Sequence, residues 1–280
     1  MKRSPELESF RAKLGVLDLK PLRVELEMDG PVMGYDPLHL DGLLAWCVVE
    51  AATQGRGLPP SAEPYDLPLP LACLWRDPDS GLPLWASTDF EPVGGARRVV
   101  GYWHKRVPRS ELVHLPPGRP WNIRPGRGEY RELRIPLPGW LCRRWRADCL
   151  GDPLAIASLL RLLPATVGKK RSQGYGSLRS ITIHEISQFS LFDEGGEPRR
   201  PVPLRALVEV AAGLPVRLEP YGRVGWTPPY WLPVCQEESL LRPPPVPLAH
   251  RGVGGSESFD EESGQKSRLA EERQPSGPVV

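Results

Sequence analysis

Eleven residues hold the densest chemistry in this chain of 280: Gly168-Lys169-Lys170-Arg171-Ser172-Gln173-Gly174-Tyr175-Gly176-Ser177-Leu178. Three consecutive cations precede two glycines spaced two apart. A main chain without Cβ atoms lets a polyanion approach its N–H groups closely, while the lysines and arginine supply opposite charge. The pattern predicts a loop that grips a nucleic-acid backbone. Two other anion-binding loops fail on spacing. A P-loop needs glycine at position 163 and Ser or Thr at 170, where leucine and lysine stand. A dinucleotide loop needs glycine at 179, which is arginine.

A second concentration lies upstream. From residue 94 to 146 there are thirteen arginines and lysines against three acids, whereas the whole chain carries a net charge of only +2. Arg97, Arg98, Lys105 and Arg106 belong to this run, and Tyr102, Trp103, Trp121, Tyr130, Trp140 and Trp145 are interleaved with it. Arginine forks hold phosphates and aromatic rings stack bases, so the mixture suits single-stranded nucleic acid. Tyr102, His104 and Lys105 also form the one compact set with the types needed for metal-independent RNA cleavage: acid, base and charge stabiliser. His39 and His184 are isolated candidates for the same chemistry.

The surrounding pattern says what must position these groups. Leu22, Val24, Leu26 and Met28 alternate with Arg23, Glu25 and Glu27, which predicts a half-buried strand. Asp36-Pro37 opens a helix with Leu40, Leu43, Leu44 and Cys47 on its apolar face, ending near 55–57. A proline-rich connector follows to about Pro70. The runs 82–87 and 133–137 are expected as second and third strands, Pro83 favouring a strand start or edge. Asp152-Pro153 caps a second helix with Ile156, Leu159, Leu160 and Leu163 at core spacing, stopped by Pro164. Ile181 and Ile183 alternate with polar residues in a fourth strand, 178–186. The order βαββαβ predicts an α+β, ferredoxin-like or RRM-like domain over residues 1–190, with the glycine loop just before its last strand. Residues 191–242 read as a small β-rich appendage, and 243–280, rich in Pro, Gly, Ser and Glu, as a disordered tail.

The loop spelling Gly-Lys-Lys-Arg-Ser-Gln-Gly-Tyr-Gly resembles the glycine-rich loop of the RAMP superfamily, the RRM-like RNA-binding subunits of CRISPR-Cas systems. Leu38-His39-Leu40-Asp41-Gly42-Leu43-Leu44-Ala45-Trp46 is similar to the first helix of that superfamily, and Pro228-Pro229-Tyr230-Trp231 is a weaker echo. The pair is most similar to the Cas-five-like (Csf-three) subunit of type IV effector complexes, over residues 22–186. Ser177 and Ser180 stand where an RRM signature places its stacking aromatics. The resemblance implies a β-hairpin thumb inserted at about 94–130. It also implies that Gly168 through Gly176, with Arg97, Arg98, Tyr102, Trp103, Lys105 and Arg106, hold the 5′ handle of a guide RNA. The implied partners are guide RNA, the backbone and large effector subunits, and target DNA. A repeat-cleaving endoribonuclease using Tyr102, His104 and Lys105 is the enzyme alternative, and a general single-stranded nucleic-acid module the third.

Composition narrows the rest. Cys47, Cys73, Cys142, Cys149 and Cys235 are odd in number and scattered, which predicts neither a disulfide framework nor a zinc site, and no cofactor is expected. The first twenty residues are polar and no run reaches transmembrane length, so no membrane partner and a cytoplasmic location are expected.

Overall fold

The computed structural model describes residues 1–34, 37–105 and 133–242. In chain order the elements are α1 (Pro5–Leu14), β1 (Lys20–Met28), β2 (Val32–Met33), α2 (Leu40–Thr53), β3 (Cys73–Arg76), β4 (Pro83–Trp85), β5 (Glu91–Pro92) and β6 (Arg97–Lys105). There follow β7 (Leu133–Leu141), β8 (Arg144–Gly151), α3 (Pro153–Leu160), β9 (Leu178–Glu185), β10 (Val202–Pro203), α4 (Leu207–Val210), β11 (Tyr221–Gly225) and β12 (Gln236–Leu240). The fold class is α+β, with antiparallel sheets and few helices.

The central sheet has the order β5-β8-β1-β9, every neighbour antiparallel. Leu22, Val24 and Leu26 of β1 are fully buried, which is the consequence of their alternation with charged residues. Leu40, Leu44, Cys47 and Val48 of α2 and Ile156, Leu159 and Leu160 of α3 pack on that face in one core. The α3 start is held as its spelling dictates: Asp152 accepts from the Ala155 N–H at 2.9 Å, with Pro153 at the first turn. The opposite sheet face carries no Phe, Tyr or Trp on β1 or β9. There Glu25 pairs across with Arg146 and Thr182, and Arg23 with Asp148 and His184.

Three expectations are corrected. The run 82–87 contains a strand, but β4 pairs with β3 rather than entering the central sheet. Leu82 and Leu84 go into a second core with Trp75 and Trp226, whereas the second strand of the central sheet is the two-residue β5. The run 133–137 belongs to β7, whose partner is β6. The strand beside β1 is β8, where Trp145, Ala147 and Cys149 point inward. The helix expected to open at Asp36-Pro37 is α2, which begins at Leu40 with His39 at its cap position and follows the earlier helix α1, and Asp36 lies outside the described residues.

β6 and β7 form a long hairpin in register from Arg97↔Leu141 to Lys105↔Leu133, with β2 added along β7. Its return strand therefore extends beyond the expected limit at 130, and residues 106–132 lie outside the described residues. β10, β12 and β11 form a three-stranded sheet whose core includes Phe192, Val202, Trp226, Cys235 and Leu240. The expected tail, 243–280, lies outside the described residues. Among the described residues no helix is long and apolar enough to cross a membrane.

Candidate nucleic-acid interface

The glycine loop is a folded-back turn. Val167 N–H donates to the Gly176 carbonyl at 2.8 Å, and Leu178 N–H to that of Ala165 at 2.8 Å, closing the base of the loop. Gly176 N–H donates to the Pro31 carbonyl at 2.9 Å, tying the loop to the link between β1 and β2. A one-turn 3-10 segment, Arg171–Gln173, forms the tip, flanked by Lys170 at φ 59° and Gly174 at φ 81°. Gly176 also sits at positive φ, and a Cβ there would lie 1.8 Å from the Val167 carbonyl oxygen, so no other residue fits without moving the backbone.

The loop does not stand alone. Lys170 Nζ lies 4.0 Å from the centre of the Trp103 ring, a cation–π contact across to β6. The Tyr175 side chain lies over Gly101, where a Cβ would come within 2.5 Å of its hydroxyl. The missing Gly101 side chain is therefore what lets the loop close on the hairpin. Both features leave the same end of the central sheet, because Leu178 pairs with Met28 while Val93 N–H donates to Arg144 O just before β6 begins.

Gly168, Lys169, Arg171, Ser172, Gln173 and Gly174 are exposed, and Lys170 and Tyr175 are half-buried. Gly176 is buried, so it shapes the loop instead of presenting a contact surface. Arg97 and Arg98 are exposed, and alternation sends them to opposite faces of the hairpin. Trp103 faces the loop. Tyr102 and His104 take the other face, their rings 6.4 Å apart, with the Arg134 guanidinium 4.0 Å over Tyr102. Lys105 closes the described part of β6, and Arg106 lies outside the described residues.

The other histidines are held differently. His184 is exposed on the open face of β9. His39 is largely buried, its Nδ1 2.5 Å from an Asp89 carboxylate oxygen and its ring stacked 3.9 Å from Tyr230. This pair belongs to a buried network that residue spacing does not reveal. Arg200, fully buried, meets Asp41 at 2.8 Å, the Ser87 hydroxyl at 2.9 Å and the Trp226 carbonyl at 2.7 Å. The Tyr230 hydroxyl donates to the other Asp41 oxygen. Burial and the adjacent Asp41 charge push the Tyr230 phenol well above its ordinary value, so it stays a neutral donor. Thus Asp41, on the helix that faces the first core, is neutralised by a residue 159 positions away.

Burial pushes the thiols of Cys47 and Cys149 up to about 12, which leaves them unreactive at neutral pH. All five cysteines are unpaired. Among the described residues no three His, Cys, Asp or Glu side chains converge as metal ligands. No family model matches the chain, and no curated protein matches it.

Proposed function

We propose that this chain is a non-catalytic RNA-binding subunit of a type IV-like CRISPR effector ribonucleoprotein, gripping the 5′ handle of its guide RNA. The other effector subunits would be its protein partners, with target DNA a further one, and its working location would be the cytoplasm. One observation carries the reading: the cationic glycine loop and the arginine-rich hairpin meet through Lys170–Trp103 and Tyr175–Gly101. Charge for phosphates and rings for bases therefore share one surface. The sheet order β5-β8-β1-β9, with α2 and α3 as its crossovers, supports a ferredoxin-like domain with the hairpin inserted between its second and third strands. The open sheet face carries charged pairs where an RRM stacks bases, so the loop and hairpin are the gripping parts.

The test is the salt dependence of binding. Changing Lys169, Lys170 and Arg171 to alanine should flatten the slope of log K against log salt by about 2, roughly 0.7 for each single-strand phosphate no longer neutralised. Between 50 and 200 mM salt that is a difference of about 20-fold in how far affinity falls. An unchanged slope in a folded variant removes the loop from the RNA site. A second reading, the metal-independent endoribonuclease, is favoured by the cluster of Tyr102, His104 and Arg134 on the outer hairpin face. The same assay in chelator decides between them. Intact RNA supports the binder, and cleavage at one phosphate, abolished by His104→Ala, establishes the enzyme.

A further inference from the structure

Beyond the loop lies an open channel. Two cavities, of about 680 and 750 Å³, share Leu38, Gly42, Leu43, Gly168, Tyr230 and Trp231 in their walls, so they form two limbs of one groove that meets beneath the glycine loop. One limb is apolar and aromatic, with Trp46 and Tyr65 along it and Arg171 at its loop end. The other, also walled mainly by apolar side chains, carries cations along it, passing Lys169 and then Arg223 on β11. Arg223 is exposed and forms no ion pair among the described residues.

Trp231 stands at the junction and is 77% exposed, in a chain whose other described tryptophans are buried or half-buried. Exposing a ring of that size sets aside a large apolar surface that burial would otherwise stabilise. The walls are also charged one way. Among the described residues Arg171, Lys169 and Arg223 share them with only two acids, Glu63 and Asp89, and the Asp89 carboxylate is buried against His39. An apolar peptide would need no such rim, whereas a polyanion carrying flat rings needs both features.

We infer that this channel carries the single-stranded RNA onward from the glycine loop, with a base stacked on Trp231 and a phosphate on Arg223. The inference rests on the RNA-binding reading above and adds the path of the strand. It places the RNA on the α2 side of the loop, between the α2 surface and the segment Pro228–Leu232, in addition to the hairpin.

The experiment measures binding of a short oligouridine, and of the same oligomer with abasic residues, by fluorescence anisotropy. Trp231→Ala should weaken binding of the oligouridine about 5- to 150-fold, the range for losing one base–aromatic stack. Its salt slope should not change, since the ring carries no charge. The abasic oligomer should bind the variant and the unchanged protein alike, and Trp231→Phe should restore most of the affinity. Arg223→Ala should flatten the slope by about 0.7. An equal loss on abasic RNA would overturn the stacking role. If Trp231→Ala and Arg223→Ala bind like the unchanged protein while the triple loop variant does not, the channel is excluded and the loop grip survives. If the unchanged protein binds neither oligomer nor repeat-derived RNA, the RNA-binding reading fails and the channel inference falls with it.

Discussion

Gly174 and Gly176 both sit at positive φ, two residues apart in one loop, yet alanine at the two positions should behave differently. At Gly174 a new Cβ meets nothing within 4 Å, so the variant carries only the left-handed backbone penalty, about 1–2 kcal/mol. At Gly176 the same atom would be placed 1.8 Å from the Val167 carbonyl oxygen and 2.9 Å from its carbon. Relief requires the two strands of the loop base to separate by more than an ångström. That breaks the hydrogen bonds from Val167 N–H to Gly176 O and from Gly176 N–H to Pro31 O. At about 0.5–1.5 kcal/mol each, added to the backbone penalty, the loss is about 2–5 kcal/mol. Urea unfolding should resolve the pair as a larger drop in midpoint for Gly176→Ala at unchanged m-value. Binding should follow stability of the loop: Gly174→Ala keeps most RNA affinity, and Gly176→Ala loses it together with the salt slope. Equal midpoints and equal affinities for the two variants would refute the claim that Gly176 sets the loop geometry.

Acid should weaken the fold through Asp148. Burial raises its carboxyl, but hydrogen bonds and charge from Arg23 and Arg199 outweigh this and hold it below the usual carboxylate value. A depressed folded value means that the stabilisation is complete above about pH 4 and is lost as pH falls through the folded value. Urea midpoints measured from pH 6 downward should therefore fall less steeply at the acid end for Asp148→Asn than for the unchanged protein; identical profiles would contradict this. Arg200→Ala should cost about 3–5 kcal/mol, because it strands the Asp41 carboxylate in the interior. Adding Asp41→Asn should recover part of that loss, and strictly additive losses in the double-mutant cycle would contradict the pairing.

What the sequence made legible was local. The alternation in β1, the Asp152 cap and the helical stripe of Ile156, Leu159 and Leu160 each depend on residues within a few positions of one another, and each element formed where its pattern lay. β8 has an equally clean alternation, but its outward Arg144 and Arg146 merge into a longer arginine-rich stretch and hide it. β5, two residues long, has no period at all and is a strand only because β8 offers it an edge. The loop cations could be picked out by type. Their meeting with the hairpin could not, because it depends on the absence of a side chain at Gly101, which no spacing rule connects to Tyr175. Trp231 stands out in the sequence only as part of a weak echo. Its significance comes from exposure, which sequence does not report.

The Arg200–Asp41 pair also sets a timetable. Asp41 is translated 159 residues before its counter-charge, which at 5–20 residues per second is about 8–32 s. During that interval α2 carries a carboxylate with no guanidinium to receive it, and the cheapest state for the nascent chain keeps that end of the helix wet. The first core can then close completely only when the bend bearing Arg200, just before β10, has emerged and docked. Consolidation of this core is thus postponed until at least 200 residues have been made, and a chaperone that binds unfinished chains would find its target in the solvated α2 start.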